Sequence, residues 1–435
     1  MLWMFSIPML LSVAFQQVYQ IADSIIAGQF IGEAALAAVG ASHPITMIFM
    51  AVAVGSNIGC AVVVSRLFGA KKYSALKTAI CTIFCACIAV SVVLTLVGIF
   101  GGSAMLRLIR TPADVFADAK LYLHIYIYGF LFLYLYNICN GIFTSLGDSR
   151  TPLYFLIASS LANIVMDVVF VVCFHMGVGG VAWATFLCQG VASVLAAWTL
   201  FRRLRGVPAP ERHPLFSWRM LGRIARIAVP SILQQSFISV GNLFIQSLVN
   251  GFGSAVVAGY SAAVKLNTFA LTGFTTLGNG LSSFTAQNIG AGRPERVKQG
   301  FRAGAGMTLC VAVPFIAAFV FAGPQMVRLF LSAPSADALA QGTLFLNIVA
   351  PFYVLISLKL AADGVLRGAG CMGQFMTATF TDLILRVILA FLLAPRFGAA
   401  GIWMSWPLGW AVAAALSLGF YFTGGWRKRV GSIDK

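Results

Sequence analysis

Long apolar stretches, separated by short clusters of Gly, Pro and charged residues, repeat along the whole chain. Each stretch reaches the roughly 20 residues that an α-helix needs to cross the hydrocarbon core of a bilayer. The pattern therefore predicts an all-α integral membrane protein with twelve transmembrane helices. We place the spans near residues 5–30, 36–65, 76–103, 117–144, 151–174, 179–201, 224–250, 255–286, 301–330, 338–366, 373–394 and 399–424.

The composition agrees with a protein that faces lipid over most of its surface. Apolar residues make up 60% of the chain, charged residues make up 9%, and the mean hydropathy is +0.92. A soluble chain carries about 25% charged residues. The nine cysteines lie mostly inside apolar stretches without the spacing of a metal site, so we interpret them as small core residues.

The two halves of the chain carry the same glycine landmarks in the same order. Gly69, Gly147 and Gly177 each recur about 221 residues later, within similar local sequences. We predict a duplicated unit: an N-terminal six-helix lobe over residues 1–203, a basic cytoplasmic linker over 204–222, and a C-terminal six-helix lobe over 223–435. Internal repeats in a membrane protein of this kind favour transport at a site between the halves.

The net charge of +17 follows the predicted topology. Lys and Arg concentrate in the loops after the even-numbered spans and at the C-terminus, so the positive-inside rule places both termini in the cytoplasm. We find no basic patch interleaved with aromatic residues, and we expect no nucleic-acid partner. We expect the first span to be retained, because it lacks a basic n-region and contains Asp23, and its abrupt start suggests that a short leader is missing.

The sequence favours secondary transport over ATP-driven transport or catalysis. It contains no Gly-x-x-x-x-Gly-Lys-Ser/Thr loop, so coupling to an ion gradient is expected. The four histidines are scattered over different spans and loops, and no nucleophile–base pair is evident, so we do not expect an enzyme.

Apart from Asp118 at the very start of the fourth span, four acidic residues lie within predicted spans, and two of them have a basic residue at helical spacing. Asp363 follows Lys359 by four residues, and Asp382 precedes Arg386 by four, so both pairs can form structural ion pairs.

Asp23 and Asp167 have no such basic neighbour. A carboxylate in a low-dielectric site favours binding of a proton or a cation. Asn163 lies four residues before Asp167, and together with Asp23 and Thr185 these side chains offer hard oxygens for H⁺ or Na⁺. The alternative is that the two acids are structural and hydrogen-bonded to neighbouring helices.

The repeat assigns the coupling site to the N-terminal half. The best local register sets Asn163 and Asp167 against Asp382 and Arg386, so the second copy has a basic residue at helical spacing from its acid, whereas the first copy has none.

An ordered set of motifs over both halves resembles the multidrug and toxic compound extrusion (MATE) family, and more closely its prokaryotic DNA-damage-inducible branch. The motifs cover essentially the whole chain and include Ile7–Leu11 running to Tyr19–Asp23, Ala35–Val39, Ser65–Ala70, Gly141–Phe143 with Leu146–Asp148, Asn163–Asp167, and the glycine-rich starts of spans 6 and 12. The resemblance implies a V-shaped pair of six-helix lobes around a central cavity. It also implies export of amphipathic compounds in exchange for H⁺ or Na⁺, without a resident cofactor.

The resemblance also implies roles for individual residues. The coupling-ion site of that branch corresponds to Asp23, Asn163, Asp167 and Thr185, with Asn137 in helix 4. Asn140 is the alternative for the helix 4 position. The same branch implies that the first helix bends at its proline, here Pro8, during protonation.

One feature departs from another branch of the family, which places a Glu in helix 7. This chain has only Gln234, Gln235 and Gln246 in that span, so a cation site of that kind in the C-terminal lobe is doubtful.

Adaptable apolar and aromatic side chains are candidates for the walls of the substrate cavity. These are Tyr19, Met47, Phe143, Phe269, Phe274 and Tyr353.

We therefore predict a monomeric, multi-pass antiporter of a prokaryotic plasma membrane, which exports amphipathic, cationic small molecules and contacts membrane lipid. The alternative is a flippase for a lipid-linked precursor. A flippase for an anionic headgroup needs a basic cavity, and Lys265, Lys359 and Arg386 are the only basic residues in the predicted spans that lie more than four residues from a span end.

Overall fold

The protein is described here from a computed structural model. The structure describes residues 2–26, 33–109, 111, 113, 115–208, 214–331 and 335–430. In this part of the chain all regular elements are helical. The fourteen α-helices are α1 Leu2–Ile26, α2 Glu33–Gly69, α3 Tyr73–Leu108, α4 Phe116–Tyr128, α5 Phe130–Ser145, α6 Arg150–Val168, α7 Gly177–Arg205, α8 Trp218–Asn250, α9 Ser254–Gly290, α10 Pro294–Arg328, α11 Ala336–Val349, α12 Tyr353–Gly368, α13 Met372–Phe397 and α14 Ala399–Phe422.

These helices confirm the predicted all-α membrane fold with twelve spans. Nine helical spans in the described residues are long and apolar enough to cross a membrane, and a bent pair adds a tenth. Helices α1 and α9 complete the twelve.

Two of the predicted spans are interrupted by local breaks. The fourth span bends by 47° between α4 and α5, at Gly129. The tenth span is divided into α11 and α12 by a short 3₁₀ segment, Ala350–Phe352, that contains Pro351. Glycine and proline are the usual sites of such bends, because proline cannot donate the helical hydrogen bond and glycine imposes no side chain on the turn.

The chain divides into two compact units, of which the first is Ile7–Ser236. This N-terminal unit continues beyond the basic loop into α8, because α8 packs closely on α2. Gly55 and Gly59 of α2 face Ile232 and Ala228 of α8, and a Cβ added at either glycine would lie 2.5 Å from the backbone of α8. Small residues four apart allow this close approach of two membrane helices.

Polar contacts join α2 to α5 inside the same unit. The hydroxyl of Tyr134 donates to Ser56 at 2.8 Å, and the hydroxyl of Ser145 donates to the backbone carbonyl of Ala61 at 2.9 Å. Gly141 leaves room for the side chain of Asn57. In an apolar environment such bonds fix the rotation of the two helices, because the polar groups have few other partners.

The second unit comprises mainly the residues from Phe237 onward and is built around α9 and α14. Its core contains a cluster of aromatic rings in which Tyr260 stacks on Trp403 at 4.9 Å and Phe345 lies edge-on to Trp403 and Trp406. Helices α9 and α12 approach closely where Gly278 of α9 faces the backbone of Leu360 and Gly364 of α12 faces the backbone of Gly278. Because lipid is as apolar as the helices, the hydrophobic effect does not drive these helices together. Aromatic packing and close contacts between small residues stabilise the unit instead.

Candidate functional site

The candidate coupling site lies on α6 of the N-terminal unit. Asn163 is 3% exposed and Asp167 is fully buried, so the two polar side chains that share one face of α6 are both enclosed by the unit. Within the described residues neither the amide nitrogen nor the amide oxygen of Asn163 has a hydrogen-bond partner. A buried amide without a partner is costly, which is typical of a group that binds a ligand or a water molecule.

Helix α7 provides the second side of this site. The carboxylate of Asp167 lies close enough to Cys188 of α7 for an electrostatic interaction. Thr185 precedes Cys188 by three residues and therefore lies on the same face of α7. The structure thus directs the Asp167 face of α6 and the Thr185 face of α7 toward the same region.

A π-helical segment, Val169–Cys173, begins two residues after Asp167. π-Helical turns are rare, and they are found frequently at functional sites because they displace the side chains next to them. The π-helical segment next to the buried Asp167 is therefore a further indication of a functional site. The sequence pattern did not predict this segment.

A small open cavity lies between α7 and the bend from α4 to α5. Of the predicted site residues, Thr185 lines it. The complete lining is Tyr122, Ile125, Tyr126, Gly129, Leu133, Ala182, Thr185, Phe186 and Gln189. The hydroxyl of Tyr126 and the amide oxygen of Gln189 are buried without a hydrogen-bond partner in the described residues.

Sequence reasoning missed Tyr122, Tyr126 and Gln189 as cavity residues. Tyr122 and Tyr126 are four residues apart in α4, and Gln189 follows Thr185 by four residues in α7. Each pair therefore lies on one helix face, but the spacing does not show whether that face points to lipid or into the unit.

The two candidates for the helix 4 position lie on α5 and are half-buried. The amide of Asn137 donates to the backbone carbonyl of Leu133 at 2.8 Å, one turn earlier, and Leu133 lines the cavity. The backbone carbonyl of Asn140 accepts from Thr144 at 3.1 Å. Of the two asparagines, Asn137 is therefore the one with a hydrogen bond to a residue that lines the cavity.

The remaining candidates of the N-terminal unit lie on α1. The helix that contains Asp23 is described, but the side chain of Asp23 lies outside the described part of the structure. Pro8 is inside α1, and its backbone carbonyl accepts a hydrogen bond from the hydroxyl of Ser12 at 2.9 Å. Because proline has no N–H, α1 lacks one helical hydrogen bond at this point, which is the physical basis for the predicted bend.

Three predicted cavity residues are core residues in this structure. Phe143, Phe274 and Tyr353 are at most 1% exposed, and Phe274 and Tyr353 contact each other edge-on at 5.5 Å. Tyr353 also donates to the side chain of Asn267 at 2.8 Å. Side chains that are buried to this extent are typical of the packed interior of a helical unit. Their burial does not support the prediction that these three rings line a substrate cavity.

The other three predicted cavity residues are more accessible. Phe269 is exposed, while Tyr19 and Met47 are half-buried. Their contribution to a substrate cavity stays a prediction.

The C-terminal unit contains a buried network of charged groups on α12 and α13. The predicted pair of Lys359 and Asp363 is confirmed, with an Nζ–Oδ2 distance of 2.9 Å. Asp363 also accepts from the hydroxyl of Ser417 at 2.6 Å, and Arg367 donates to Asn279 at 2.6 Å. Asp363 is therefore part of a structural ion pair.

Asp382 and Arg386 are also buried, at 6% and 4% exposure, and they interact electrostatically. No ion pair between them is found within 4.0 Å in the described residues. Instead the guanidinium carbon of Arg386 lies 4.4 Å from the ring centroid of Trp406. A stacked indole stabilises the buried cation through its π face.

At the end of α5, Asp148 joins two helices of the N-terminal unit. Its carboxylate accepts from the backbone N–H groups of Arg150 and Thr151 at the start of α6 and forms an ion pair with Arg203 near the end of α7. Partial burial acts to raise the pKa of Asp148, but the hydrogen bonds from Thr151 and Arg203 outweigh it and hold the pKa below its ordinary value.

Comparison with known proteins gives one consistent result. The MatE family model matches residues 8–169 and 230–392, one match in each half of the chain. The chain is 29% identical over 425 residues to the "Probable multidrug resistance protein YpnP" of Bacillus subtilis, a match that covers 98% of this chain and 95% of that protein.

A more distant relative is named "FAD transporter" and comes from Shewanella oneidensis. It is 25% identical over 311 residues, which are 68% of this chain and 66% of that protein.

Among solved structures, the chain is similar to the outward-facing conformation of a multidrug resistance MATE family transporter of the MOP superfamily. The TM-score is 0.91 at 23% identity, with 98% of this chain and 96% of that chain covered. This likeness shows the fold. With both halves matched by the family model and with transporters as relatives, the chain belongs to the MATE family of multidrug efflux transporters, and it is a multi-pass membrane transporter and not an enzyme.

Proposed function

We propose that this protein is an antiporter that exports amphipathic, cationic compounds in exchange for H⁺ or Na⁺, with its coupling site in the N-terminal unit. The observation that supports this most directly is the enclosed face of α6, where Asn163 and the fully buried Asp167 lie beside α7. After Arg150, α6 carries no Lys or Arg that could neutralise the acid within its own helix. A carboxylate in such a place favours uptake of a proton or a small cation.

The proposed coupling-ion site consists of Asp167, Asn163 and Thr185, completed by Asp23 of α1 and by Asn137 of α5. Asn140 is the alternative to Asn137. Amide, hydroxyl and carboxylate oxygens are hard ligands that suit Na⁺, and the same set can relay a proton.

The proposed cycle is electrostatic. Binding of H⁺ or Na⁺ neutralises the acids in the outward-facing state, which weakens attraction for a cationic substrate and favours its release. We propose that α1 bends about Pro8 in the same step. A ligand shifts the two states only through its differential affinity for them, so the coupling ion and the substrate must compete for the same negative charge.

The multi-pass topology and the bacterial relatives support a place in the plasma membrane. We propose that both termini are cytoplasmic, following the distribution of Lys and Arg, and that the protein works as a monomer in contact with lipid.

The proposal is tested with purified protein in lipid vesicles loaded with ethidium. We expect efflux to accelerate when a pH gradient or a Na⁺ gradient is imposed, and the gradient that accelerates it identifies the coupling ion. Ethidium efflux that neither gradient changes would contradict ion-coupled antiport by this protein.

A flippase for a lipid-linked precursor is the second candidate. It requires a basic cavity, and the ion pair of Lys359 with Asp363 removes one of the three available cations from that role. The vesicle experiment separates the two functions, because a fluorescent headgroup-labelled lipid would change leaflet only if the flippase interpretation is correct.

A further inference from the structure

Arg386 of α13 is a buried cation whose hydrogen-bonding capacity is incompletely used. It is 4% exposed, and within the described residues its Nε and Nη2 atoms have no hydrogen-bond partner. A guanidinium without partners is expensive to bury in a membrane protein, and such residues usually mark a functional site.

The contact with Trp406 does not satisfy these two nitrogens. A cation–π contact uses the flat face of the guanidinium, whereas its N–H groups point outward in the plane. Nε and Nη2 lie along one edge of the group, and their two parallel N–H bonds match the two oxygens of a carboxylate or a phosphate. The unused edge therefore has the geometry of an oxyanion receptor.

Further unpartnered donors belong to the aromatic cluster that contains Trp406. The indole N–H groups of Trp403 and Trp406 are buried without a partner in the described residues. Trp406 contacts Arg386, and the ring of Phe345 links it to Trp403. Three side chains with unpartnered donors therefore belong to one packed cluster.

The surrounding charges leave this region positive. The five buried ionic side chains of α12 and α13 are Lys359, Asp363, Arg367, Asp382 and Arg386, which carry one positive charge in excess. The carboxylate of Asp382 interacts with both Lys359 and Arg386, and its Oδ1 has no hydrogen-bond partner in the described part of the chain. Lys359 pairs with Asp363, and Asp382 forms no ion pair with Arg386 within 4.0 Å in the described residues, so the Nε–Nη2 edge of Arg386 is left for a second anion.

We propose that the C-terminal unit contains an oxyanion site, in which the Nε–Nη2 edge of Arg386 binds the carboxylate of an amphipathic substrate. This rests on the proposed transport function and extends the substrate class from cations to acids and zwitterions. In the repeat, α13 corresponds to α6, so the two units bury opposite charges on equivalent helices, Asp167 on α6 and Arg386 on α13.

The geometry also indicates where the edge of Arg386 becomes accessible. A Cβ added to Gly241 of α8 would lie 3.8 Å from Nη2, so α8 places no side chain over this atom. Because Arg386 is 4% exposed in this conformation, binding requires α8 and α13 to separate during the transport cycle.

The site is tested by calorimetric titration of the purified, detergent-solubilised full chain with 1-naphthoate and with its neutral analogue 1-naphthamide. We expect the wild type to bind naphthoate at least about tenfold more tightly than naphthamide. Arg386→Gln should abolish this preference. Arg386→Lys keeps the positive charge but removes the two parallel N–H bonds, and it should reduce the preference several-fold. Lys265→Gln is the matched control, because it removes an exposed cation of the same unit and should retain the preference.

Equal affinity of the wild type for the two probes would overturn the proposal without any variant, and so would unchanged naphthoate binding in folded Arg386→Gln. Sodium sulfate that displaces naphthoate at equal concentration would overturn the assignment to a substrate carboxylate and indicate a site for free inorganic anions. Absence of ethidium efflux in vesicles would contradict the proposed antiport alone, because the titration does not depend on transport.

Discussion

At the residue scale, the same i, i+4 spacing of opposite charges has led to two different results. Lys359 and Asp363 form the ion pair that the spacing predicts, at 2.9 Å. Arg386 lies instead over Trp406 of the neighbouring helix, although Asp382 is one turn away. Spacing along one helix gives the candidates, but the competing partner comes from α14 and could not be read from the sequence of α13 alone.

The buried pair of Lys359 and Asp363 leads to a prediction about stability. Lys359→Met should destabilise the protein by about 3–5 kcal/mol, because it leaves a buried carboxylate without its counter-charge. The measurement is thermal unfolding of the purified protein in detergent.

Adding Asp363→Asn to Lys359→Met should recover most of this loss, because the second change removes the orphaned charge. Lys265→Met serves as the control, since Lys265 is exposed, and should leave the unfolding temperature nearly unchanged. Equal unfolding temperatures for Lys359→Met and the wild type would show that the pair does not stabilise the unit.

Asp148 gives a prediction about pH dependence. Its pKa is lowered in the folded protein, so its contribution is complete at neutral pH and is lost as the pH falls through the lowered pKa. Asp148→Asn should therefore destabilise the protein by at most about 1 kcal/mol, as for other ion pairs near the surface. The difference in unfolding temperature between the wild type and this variant should stay constant from pH 8 to pH 5 and shrink only below about pH 4. A difference that disappears already between pH 7 and pH 5 would contradict this assignment.

At the element scale, hydropathy and the repeat were sufficient to predict the helices but not their breaks or rotations. The bend at Gly129 was missed, because both α4 and α5 are apolar and their junction carries no charge. The burial of Phe143 and Tyr353 was missed as well, since aromatic residues occur on every face of these helices and only packing decides which ones form the core. By contrast, Asn163 and Asp167 were found because a polar pair on one face of an apolar helix is rare.

The close contact of α2 with α8 gives a prediction at this scale. Gly59→Leu should reduce the amount of folded protein strongly, because a Cβ at this position would lie 2.5 Å from the backbone of Ala228. Overpacking of this kind typically costs about 1–3 kcal/mol or more, and here the backbone of a second helix would have to move. The measurement is the yield of monodisperse protein in size-exclusion chromatography.

Gly40→Leu is the matched control on the same helix. A Cβ at Gly40 would meet no atom within 4 Å, so this variant should behave as the wild type. Similar yields of Gly59→Leu and Gly40→Leu would contradict the interpretation that α2 and α8 pack through these glycines.

At the scale of the whole molecule, the two units share a fold and differ in their buried charged residues. The N-terminal unit buries Asn163 and Asp167 on α6, and the C-terminal unit buries Asp382 and Arg386 on the equivalent helix α13. Duplication thus accounts for the common architecture, and divergence of a few buried side chains accounts for separate roles of the units. The repeat predicted this asymmetry from sequence, whereas the neighbours of each buried group became apparent only from the packing of α7 and α14.

The measurement that tests the central claim most directly is ion-driven ethidium efflux from vesicles that contain Asp167→Asn. We expect this variant to lose acceleration by the imposed gradient, because the amide carries no negative charge for the coupling ion to neutralise. Asp118→Asn, which changes an exposed acid of the same unit, should retain the wild-type rate at matched protein content. Gradient-driven efflux that survives in Asp167→Asn would contradict a coupling site on α6 of the N-terminal unit.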